Sequence, residues 1–384
     1  MALTGAMSAG ISGLKAHMDA LNVVGNNVAN VNTQGYKPGR VTFKESIYST
    51  QSAGSAGTTT VGGTNPQQIG YGVGIGTIDL DMSSQSLDST GRGMDCAIQG
   101  DGFFLVGDKT HDIDSMDALK GLTLTRVGNF EFRDGYLTDG QGNVVYGFIT
   151  RSDGGGTPGT TPGDKPSTDL VPIRLPMKST AAGSEGDAVY VGVDDQTGAN
   201  VYPDNDPAAT VDGFVDLENI SIDKNGKITG TNKDTGDPVV VGYIALGSVE
   251  NLNGVLHTEG PYYTAGNAAG DIRVGTPGNS VTGNLRNDKI TDGNNVVDPD
   301  SALAEGSGAT LMTGFLEASG TDLATEFANM IIYQRGYQAN TRIVTVTDTM
   351  LEELVNMKRS EMELPISPTP PGVGGLGRGG RHDD

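Results

Sequence analysis

Few residues of this sequence have the types and spacing that catalysis or ligand binding requires. The glycine spacing of residues 372–377 matches a dinucleotide-binding pattern, which works only where a strand leads into a helix whose N-terminus holds the pyrophosphate. Here it lies in a Pro- and Gly-rich stretch without periodicity, so we interpret it as a chance match. Asp223, Asn225 and Gly226 resemble part of a calcium loop, but the closing Glu is missing. A hairpin turn is the better interpretation of that segment.

The histidines and the cysteine are scattered along the chain. We predict His17 on an N-terminal helix, His111 and His257 in loops, and His382 in the tail, each of them solvated. Cys96 is predicted on a strand as a buried, inert thiol, since no cation beside it in the sequence would lower its pKa. The sequence therefore predicts no catalytic residues, no metal site and no cofactor, and we do not expect an enzyme.

Composition and charge exclude further classes of protein. Asp and Glu total 47 against 25 Lys and Arg, a net charge of −22, which disfavours binding to nucleic acid or anionic lipid. No apolar run approaches the roughly 18–20 residues that span a bilayer, so no membrane insertion is expected. The N-terminus lacks the pattern of a secretory signal peptide. With 59 Gly, 17 Pro and 5% aromatic residues, the chain is expected to form several modest β-rich domains.

Apolar residues recur every seven positions near both ends of the chain. Such stripes predict two long terminal helices that pack along each other as a coiled coil. A helix packed on a globular core shows the same stripe, so that alternative stays open for either helix alone. The residues of the predicted seams are Met7, Leu14, Leu21, Val28, Leu323, Met330, Tyr337, Val344 and Leu351.

Between the ends, short strands alternate with Gly-containing turns. Segments such as NFEFRDGYLTDG and ISIDKNGKITG predict hairpins at DG and NG. Gly- and Pro-rich residues 152–167 predict a domain boundary, 287–308 form a second break, and the tail 365–384 is expected to be disordered. The fold class predicted is mixed α and β and multidomain, with a β-rich excursion nested between two halves of another domain.

Several segments resemble one family. NNVANVNTQGYK is similar to the N-terminal signature of bacterial flagellar axial proteins, the rod and hook family, and TGRGMDCAIQGDGFFLV and GFLEASGTDLATEFANM resemble its later blocks. YQAN at 337–340 and NMKR at 356–359 are more similar to hook members than to distal rod members, which are also expected to be markedly shorter. The signature residues are Asn26, Asn27, Asn30, Asn32, Gly35 and Tyr36.

The resemblance implies a tubular polymer that serves as a universal joint between rod and filament, with distal rod or hook-associated junction protein as alternatives. The terminal helices would form the inner tube, disordered in the monomer and ordered in the polymer. A secreted β-rich adhesin remains the rival from another class, although terminal heptads disfavour it. The implied domains are 1–33 with 319–364 (helical), 34–74 (connecting), 75–149 with 286–318 (inner), 150–285 (outer) and 365–384 (tail).

Partners and location follow from the same resemblance. The chain is expected in the extracellular part of the flagellum, exported through the flagellar type III gate without a cleaved signal. Phe43 and Ile47 match the Phe-x-x-x-hydrophobic pattern of such substrates, although an ordinary strand explains them nearly as well. The implied partners are further copies of the chain, the distal rod, the hook cap, the hook-length ruler, the hook–filament junction proteins and the export gate.

Overall fold

Two long helices lie at the two ends of the chain, as the seven-residue stripes predicted. Helix α1 is Ala2–Ala29 and helix α2 is Leu323–Met362. Asp322 caps α2: its carboxylate accepts the N–H of Ala324 at 3.0 Å and the hydroxyl of Thr325 at 2.6 Å. The computed structural model describes residues 2–109, 119–151, 165–166, 170–179, 188–189, 192–193, 200–201, 211–279, 291–292, 295–296 and 309–362.

Short strands dominate the described residues between the helices, so the protein has mixed α and β structure with a β-rich middle. The strands are β1 Gly39–Glu45, β2 Tyr48–Ser52, β3 Gln67–Gly70, β4 Val73–Leu80, β5 Leu87–Ser89, β6 Cys96–Gln99, β7 Phe103–Gly107, β8 Thr123–Thr125, β9 Glu131–Arg133, β10 Tyr136–Thr138, β11 Val144–Arg151, β12 Lys165–Pro166, β13 Val171–Pro172, β14 Met177–Ser179, β15 Ala188–Val189, β16 Gly192–Val193, β17 Asn200–Val201, β18 Val211–Phe214, β19 Leu217–Ile222, β20 Lys227–Asn232, β21 Pro238–Ile244, β22 Leu246–Val249, β23 Val255–His257, β24 Tyr262–Ala265, β25 Ile272–Gly275, β26 Thr291–Asp292, β27 Asn295–Val296, β28 Thr310–Thr313 and β29 Phe315–Glu317.

One large sheet organises the middle of the chain. Its strands follow the order β19-β20-β21-β11-β7-β8-β24-β23, and β22 pairs with both β7 and β25. Strand β7 is buried on both faces, because Phe103 and Leu105 belong to one apolar cluster while Phe104 and Val106 belong to another. The core therefore forms two layers, one on each side of β7.

The predicted hairpins are confirmed. Strands β9 and β10 pair across Asp134 and Gly135, whose φ angles of 51° and 77° suit a two-residue turn with positive φ at both positions. Strands β19 and β20 pair from Leu217↔Asn232 to Ile222↔Ile228, and Gly226 has φ 75° in the turn between them. The segment that resembles part of a calcium loop is thus a hairpin turn.

The chain divides into two compact units. Unit 1 comprises Met1–Asp19, Phe43–Ile75 and Ile332–Asp384, and unit 2 comprises Ala20–Thr42 and Gly76–Ile331. The boundary that we predicted at residue 150 falls inside β11, and β11 pairs directly with β21, so these segments share one sheet. The division into inner and outer domains stays a prediction.

Three segments for which the sequence analysis made predictions lie wholly or mostly outside the described residues. They are the tail 365–384, residues 152–164 of the first predicted break and most of 287–308. Within the part of the chain that the structure describes, neither helix is apolar enough over its length to cross a bilayer.

Candidate functional site

The residues that could do chemistry are placed apart. Cys96 is fully buried on β6, as predicted, and burial raises the pKa of its thiol, so it is protonated at neutral pH. His257 is exposed at the end of β23 rather than in a loop. His111, His382 and the glycine pattern at 372–377 lie outside the described residues. The described residues contain no cluster of three His, Cys, Asp or Glu side chains that could hold a metal ion.

His17 was predicted to be solvated, and this prediction is wrong. Its ring lies 5.5 Å from Phe43 and 6.2 Å from Tyr333, between centroids, and its Nδ1 is buried without a hydrogen-bond partner. The three rings form one aromatic cluster in unit 1, because Phe43 and Tyr333 are 5.8 Å apart. Phe43 is 39% exposed and Ile47 is 78% exposed; their role in export stays a prediction.

The helices of unit 1 approach each other at glycines. A Cβ at Gly13 would lie 2.7 Å from Asn340 Nδ2, and a Cβ at Gly336 would lie 2.6 Å from the His17 ring. A Cβ at Gly10 would lie 3.2 Å from Val344. Rising numbers on α1 meet falling numbers on α2, so the helices run antiparallel at near-backbone contact.

The most buried face of α1 is therefore made of small residues rather than of the predicted seam. Met7, Leu14, Leu21 and Val28 are half-buried. The seven-residue spacing of these four side chains marks a stripe beside the contact between α1 and α2. The contact itself is made by small residues, because only small side chains allow the two helices to approach so closely. The fully buried residues of α1 are Gly10, Gly13, Ala16, Ala20, Val24 and Asn27.

Helix α2 keeps part of its predicted seam against protein and exposes other apolar side chains. Met330, Tyr337, Val344 and Leu351 are half-buried, whereas Leu323 is 38% exposed. The role of all these residues in polymerisation stays a prediction. The exposed apolar side chains of the two helices are Ile11, Met18, Phe327, Ile331, Ile332, Ile343, Val346, Met350, Leu354, Val355 and Met357.

The signature residues form a turn at the end of α1, within unit 2. Gly35 has φ 67°, which favours glycine, and a Cβ there would lie 2.8 Å from Val127 Cγ2. The Gly35 N–H donates to the carbonyl of Glu317 at 2.8 Å. The turn is thus held against two other parts of the chain, near residues 127 and 317.

Asn27 is the central side chain of this turn. Its Oδ1 accepts hydrogen bonds from the N–H of Gly39 and the hydroxyl of Tyr36, both at 3.0 Å. Its Nδ2 donates to the Gly39 carbonyl at 2.8 Å and to Glu326 Oε1 at 3.0 Å. Asn27 therefore uses its amide fully, which fixes the chain beyond α1 against the start of α2.

The other signature asparagines support the turn more loosely. Asn26 Nδ2 donates to the Tyr36 hydroxyl at 3.1 Å, and Asn30 Nδ2 donates to the Asn26 carbonyl at 3.0 Å. Asn32 is exposed. Short amide side chains that bond to nearby backbone suit a helix end, which explains why the segment is rich in Asn.

The surroundings of Glu326 disfavour the charged form of its carboxyl group. Its Oε2 is buried without a hydrogen-bond partner. Burial raises the pKa of this carboxyl above its usual value, and the nearby Asp322 charge raises it further. The same surroundings raise the pKa of Tyr36, first through burial and then through Glu326.

A buried ionic junction lies beside the turn. Lys37 Nζ donates to Glu317 Oε1 at 2.8 Å and to the Ser83 carbonyl at 2.7 Å, and Arg126 Nε donates to Glu317 Oε2 at 3.1 Å. All three charged side chains are at most 2% exposed. Burial lowers the pKa of Lys37, and the positive charge of Arg126 lowers it further.

Arg126 also holds the loop before β7. Its Nη1 donates to the carbonyls of Gly100 and Gly102 at 2.9 and 2.7 Å. Its Nη2 is buried without a hydrogen-bond partner, and its guanidinium lies 6.0 Å from the Phe103 ring centroid. The ionic junction, defined as Lys37, Arg126 and Glu317, therefore joins the turn after α1, the residue that follows β8 and the end of β29.

This arrangement of buried hydrogen bonds and ion pairs holds backbone segments in place. Sequence reasoning missed Lys37, Arg126, Glu317 and Glu326 as structural residues. Lys37, Glu317 and Glu326 lie in segments that resemble the family, and Glu317 is a single charge between apolar Leu316 and Ala318, which is the available signal of a buried partner. Nothing in the sequence states which acid pairs with which base.

Comparisons with known proteins match these segments. The family model described as "Flagella basal body rod protein" matches residues 7–37, which include most of α1 and the turn. The model described as "Flagellar basal body rod FlgEFG protein C-terminal" matches residues 312–357, which include Glu317 and most of α2. Two residues of the ionic junction, Lys37 and Glu317, therefore lie in the regions that these two family models match.

Relatives extend the similarity over nearly the whole chain. The flagellar basal-body rod protein FlgG of Bacillus subtilis is 32% identical over 352 residues, 91% of this chain and 97% of its own. The flagellar hook protein FlgE of Borreliella burgdorferi is 25% identical over 472 residues, 91% of this chain and 98% of its own. FlgE of Salmonella typhimurium is 27% identical over 435 residues, 91% and 99% respectively. The chain therefore belongs to the bacterial flagellar rod and hook protein family.

Proposed function

We propose that this protein polymerises into the flagellar hook, a curved hollow tube that carries motor torque from rod to filament. The alignments with two hook proteins over 91% of this chain, and over 98% and 99% of theirs, support a subunit of this kind. The observation that carries the choice of hook is the pair of hook-like segments YQAN and NMKR, both on α2.

The helices support assembly into a tube. Their mutual contact in unit 1 uses Gly10, Gly13 and Gly336, so larger apolar side chains remain on the outside of the pair. Exposed apolar residues such as Ile331 and Met350 would be covered by helices of neighbouring copies, in a coiled-coil inner tube. Burial between copies would then stabilise helices that have little apolar contact within one chain.

The β-rich middle would form the outer layers of the tube, as a nested excursion of the chain. A joint that bends while it rotates needs outer contacts that exchange repeatedly, which favours polar, hydrated and individually weak interfaces. An acidic, Gly-rich composition suits such contacts, since the net charge of −22 opposes tight apolar association. The rigid element of each subunit would be its buried core around β7.

The rod is the second candidate function, because the B. subtilis relative is named a flagellar basal-body rod protein. This rod relative is not markedly shorter than the chain, since the alignment covers 91% of this chain and 97% of the relative. Chain length therefore does not separate the two functions. The curvature of the assembled tube does.

The proposed hook function implies a location and a set of partners for this protein. The subunit would be exported as an unfolded chain without a cleaved signal, and would assemble outside the cell. It would contact further copies of itself, the distal rod, the cap, the length ruler and the junction proteins. The family membership disfavours the adhesin alternative, which requires no helices at the two ends.

Electron microscopy of the purified, concentrated chain tests the proposal. We expect curved tubes with a central channel. Straight tubes would assign the chain to the rod instead, and persistent monodisperse monomers under conditions that assemble a known hook protein would contradict both functions. A variant with a charge on the exposed face of α2 serves as the negative control for assembly.

A further inference from the structure

Two cations of unit 2 are buried against a single acid. The side chains of Lys37 and Arg126 are 0% and 2% exposed, and each pairs with a different oxygen of Glu317. Among the residues that the structure describes, no other carboxylate lies within ion-pair distance of either cation. Asp81 acts on Lys37 only at longer range. The neutralisation of both cations therefore depends on Glu317.

Glu317 arrives late in the chain. It follows Lys37 by 280 residues and Arg126 by 191 residues. It also ends strand β29, which pairs with β5 in the register Glu317↔Leu87. Its position at the ionic junction is consequently set by the pairing of β29.

The same residue holds the turn through its backbone. The Glu317 carbonyl accepts the N–H of Gly35 at 2.8 Å, and its Oε1 also accepts the N–H of Gln85 at 3.1 Å. The segment Gly35–Lys37 is thus attached to Glu317 by one backbone and one side-chain hydrogen bond. Both attachments therefore require Glu317 to be in its folded position.

A buried cation without a counter-charge is strongly disfavoured, because its lost hydration is not replaced. Lys37 therefore keeps its water until the carboxylate is in place. We propose that Glu317 is a latch residue: the segment Gly35–Lys37 docks onto the rest of unit 2 only after β29 has paired with β5. The end of α1 then stays unanchored in any chain whose C-terminal strand has not yet joined the sheet. This order of folding holds whether the assembled tube is a hook or a rod.

Pulsed hydrogen exchange with mass spectrometry, during refolding of the full chain from urea, tests the order. In the unmodified protein, the amides within 35–39 (Pro38 has none) should become protected together with or after those of 315–317. In Glu317→Gln, protection at 35–39 should fall by at least about tenfold, because the cations lose their counter-charge. Strands β7 and β11 should keep their protection. Glu250→Gln is the matched control, since it removes a 3.0 Å ion pair with Arg273 at the surface, and it should change nothing.

A double variant keeps the test decisive if Glu317→Gln fails to fold. Lys37→Met combined with Glu317→Gln removes the cation that lies in the docking segment and leaves only Arg126 without its counter-charge, so protection at 35–39 should recover in part relative to Glu317→Gln alone. The proposal is overturned by protection of 35–39 before 315–317 in the unmodified chain. Unchanged protection in Glu317→Gln, or a double variant no better than that single variant, would overturn it equally.

Discussion

Asn27 on helix α1 donates its side-chain amide to Glu326 on helix α2 at 3.0 Å, across 299 residues of sequence. The bond is buried, and it leaves the second carboxylate oxygen of Glu326 without a hydrogen-bond partner. The end of α1 and the start of α2 therefore meet in unit 2 at a carboxylate with one hydrogen-bonded oxygen, Oε1, and one oxygen without a partner, Oε2. This pairing makes the stability of the contact dependent on the protonation of Glu326.

Stability should fall as pH rises through the folded-state pKa of Glu326. Burial raises this pKa above the ordinary 4.5, so the folded protein binds the proton more tightly than the unfolded chain does. The contribution is fully favourable below about the ordinary value and is lost above the raised one. The lowered pKa of Asp322, caused first by its bond from Thr325, acts in the opposite direction and below 3.8. Glu326→Gln should flatten the loss above pH 4.5 in urea unfolding measured at half-unit steps.

Exposed Glu352 on the same helix supplies the control for that series. Glu352→Gln should leave the pH profile of the unmodified protein in place. A profile in Glu326→Gln that matches the unmodified protein would remove Glu326 as its cause.

Substitution of Gly35 by Ala should destabilise the folded chain more than the same change at Gly91. Both glycines have φ near 70°, a conformation that costs an L-residue roughly 1–2 kcal/mol. Position 91 is otherwise open, whereas a Cβ at 35 would lie 2.8 Å from Val127 Cγ2. We expect about 1–3 kcal/mol of additional loss for Gly35→Ala from overpacking. Urea unfolding of the two variants measures the difference, and equal losses would show that the contact with Val127 relaxes freely.

Leucine at Gly13 should weaken the assembled tube. The new side chain would enter the space of Asn340 and push α2 away, at a cost of about 1–3 kcal/mol. A change of this size raises the critical concentration for assembly by roughly 5- to 30-fold or more, measurable by sedimentation. Gly25→Leu is the control, since nothing lies within 4 Å of a Cβ there. If both variants assemble like the unmodified protein, the glycine contact is unimportant for the tube.

Aspartate at Ile331 should prevent assembly without unfolding the monomer. Ile331 is 58% exposed, so the charge remains hydrated in a single chain but would be buried between copies. Sedimentation and electron microscopy should show monomers only, with unchanged urea unfolding. Ile331→Val, which keeps an apolar side chain at the same position, should still assemble. Normal tubes from Ile331→Asp would exclude this face from the interface.

The order of the chain ends should differ between monomer and tube. We expect weak hydrogen-exchange protection of residues 10–30 in the monomer and strong protection after assembly, because the helices bury few large apolar side chains within one chain. Strong protection of these residues in a monomer kept below the critical concentration would contradict this prediction.

Local patterns predicted the elements of this fold well. The seven-residue recurrences located both helices, and the DG and NG dipeptides located hairpins at Gly135 and Gly226. These features depend on neighbours a few residues apart, which the sequence displays directly. The coarse class of mixed α and β structure follows from them.

Contacts between distant residues were not predictable in the same way. The seam of α1 was assigned to Leu14 and Leu21 because heptads of large residues usually mark an interface, whereas Gly13 and Ala16 form the buried face. His17 was assigned to solvent because nothing in the sequence places Phe43 beside it. The pairing of Lys37 with Glu317 depends on strand register far along the chain, which periodicity does not encode.

The burial of Cys96 makes this protein convenient for site-specific labelling. It is the single cysteine of the sequence, and its thiol is fully enclosed on β6. Because the thiolate is the reactive form, a maleimide dye should leave the native chain unmodified. A cysteine placed at exposed Gln338 would then be the one accessible thiol. Energy transfer between dyes on different chains would follow assembly in real time.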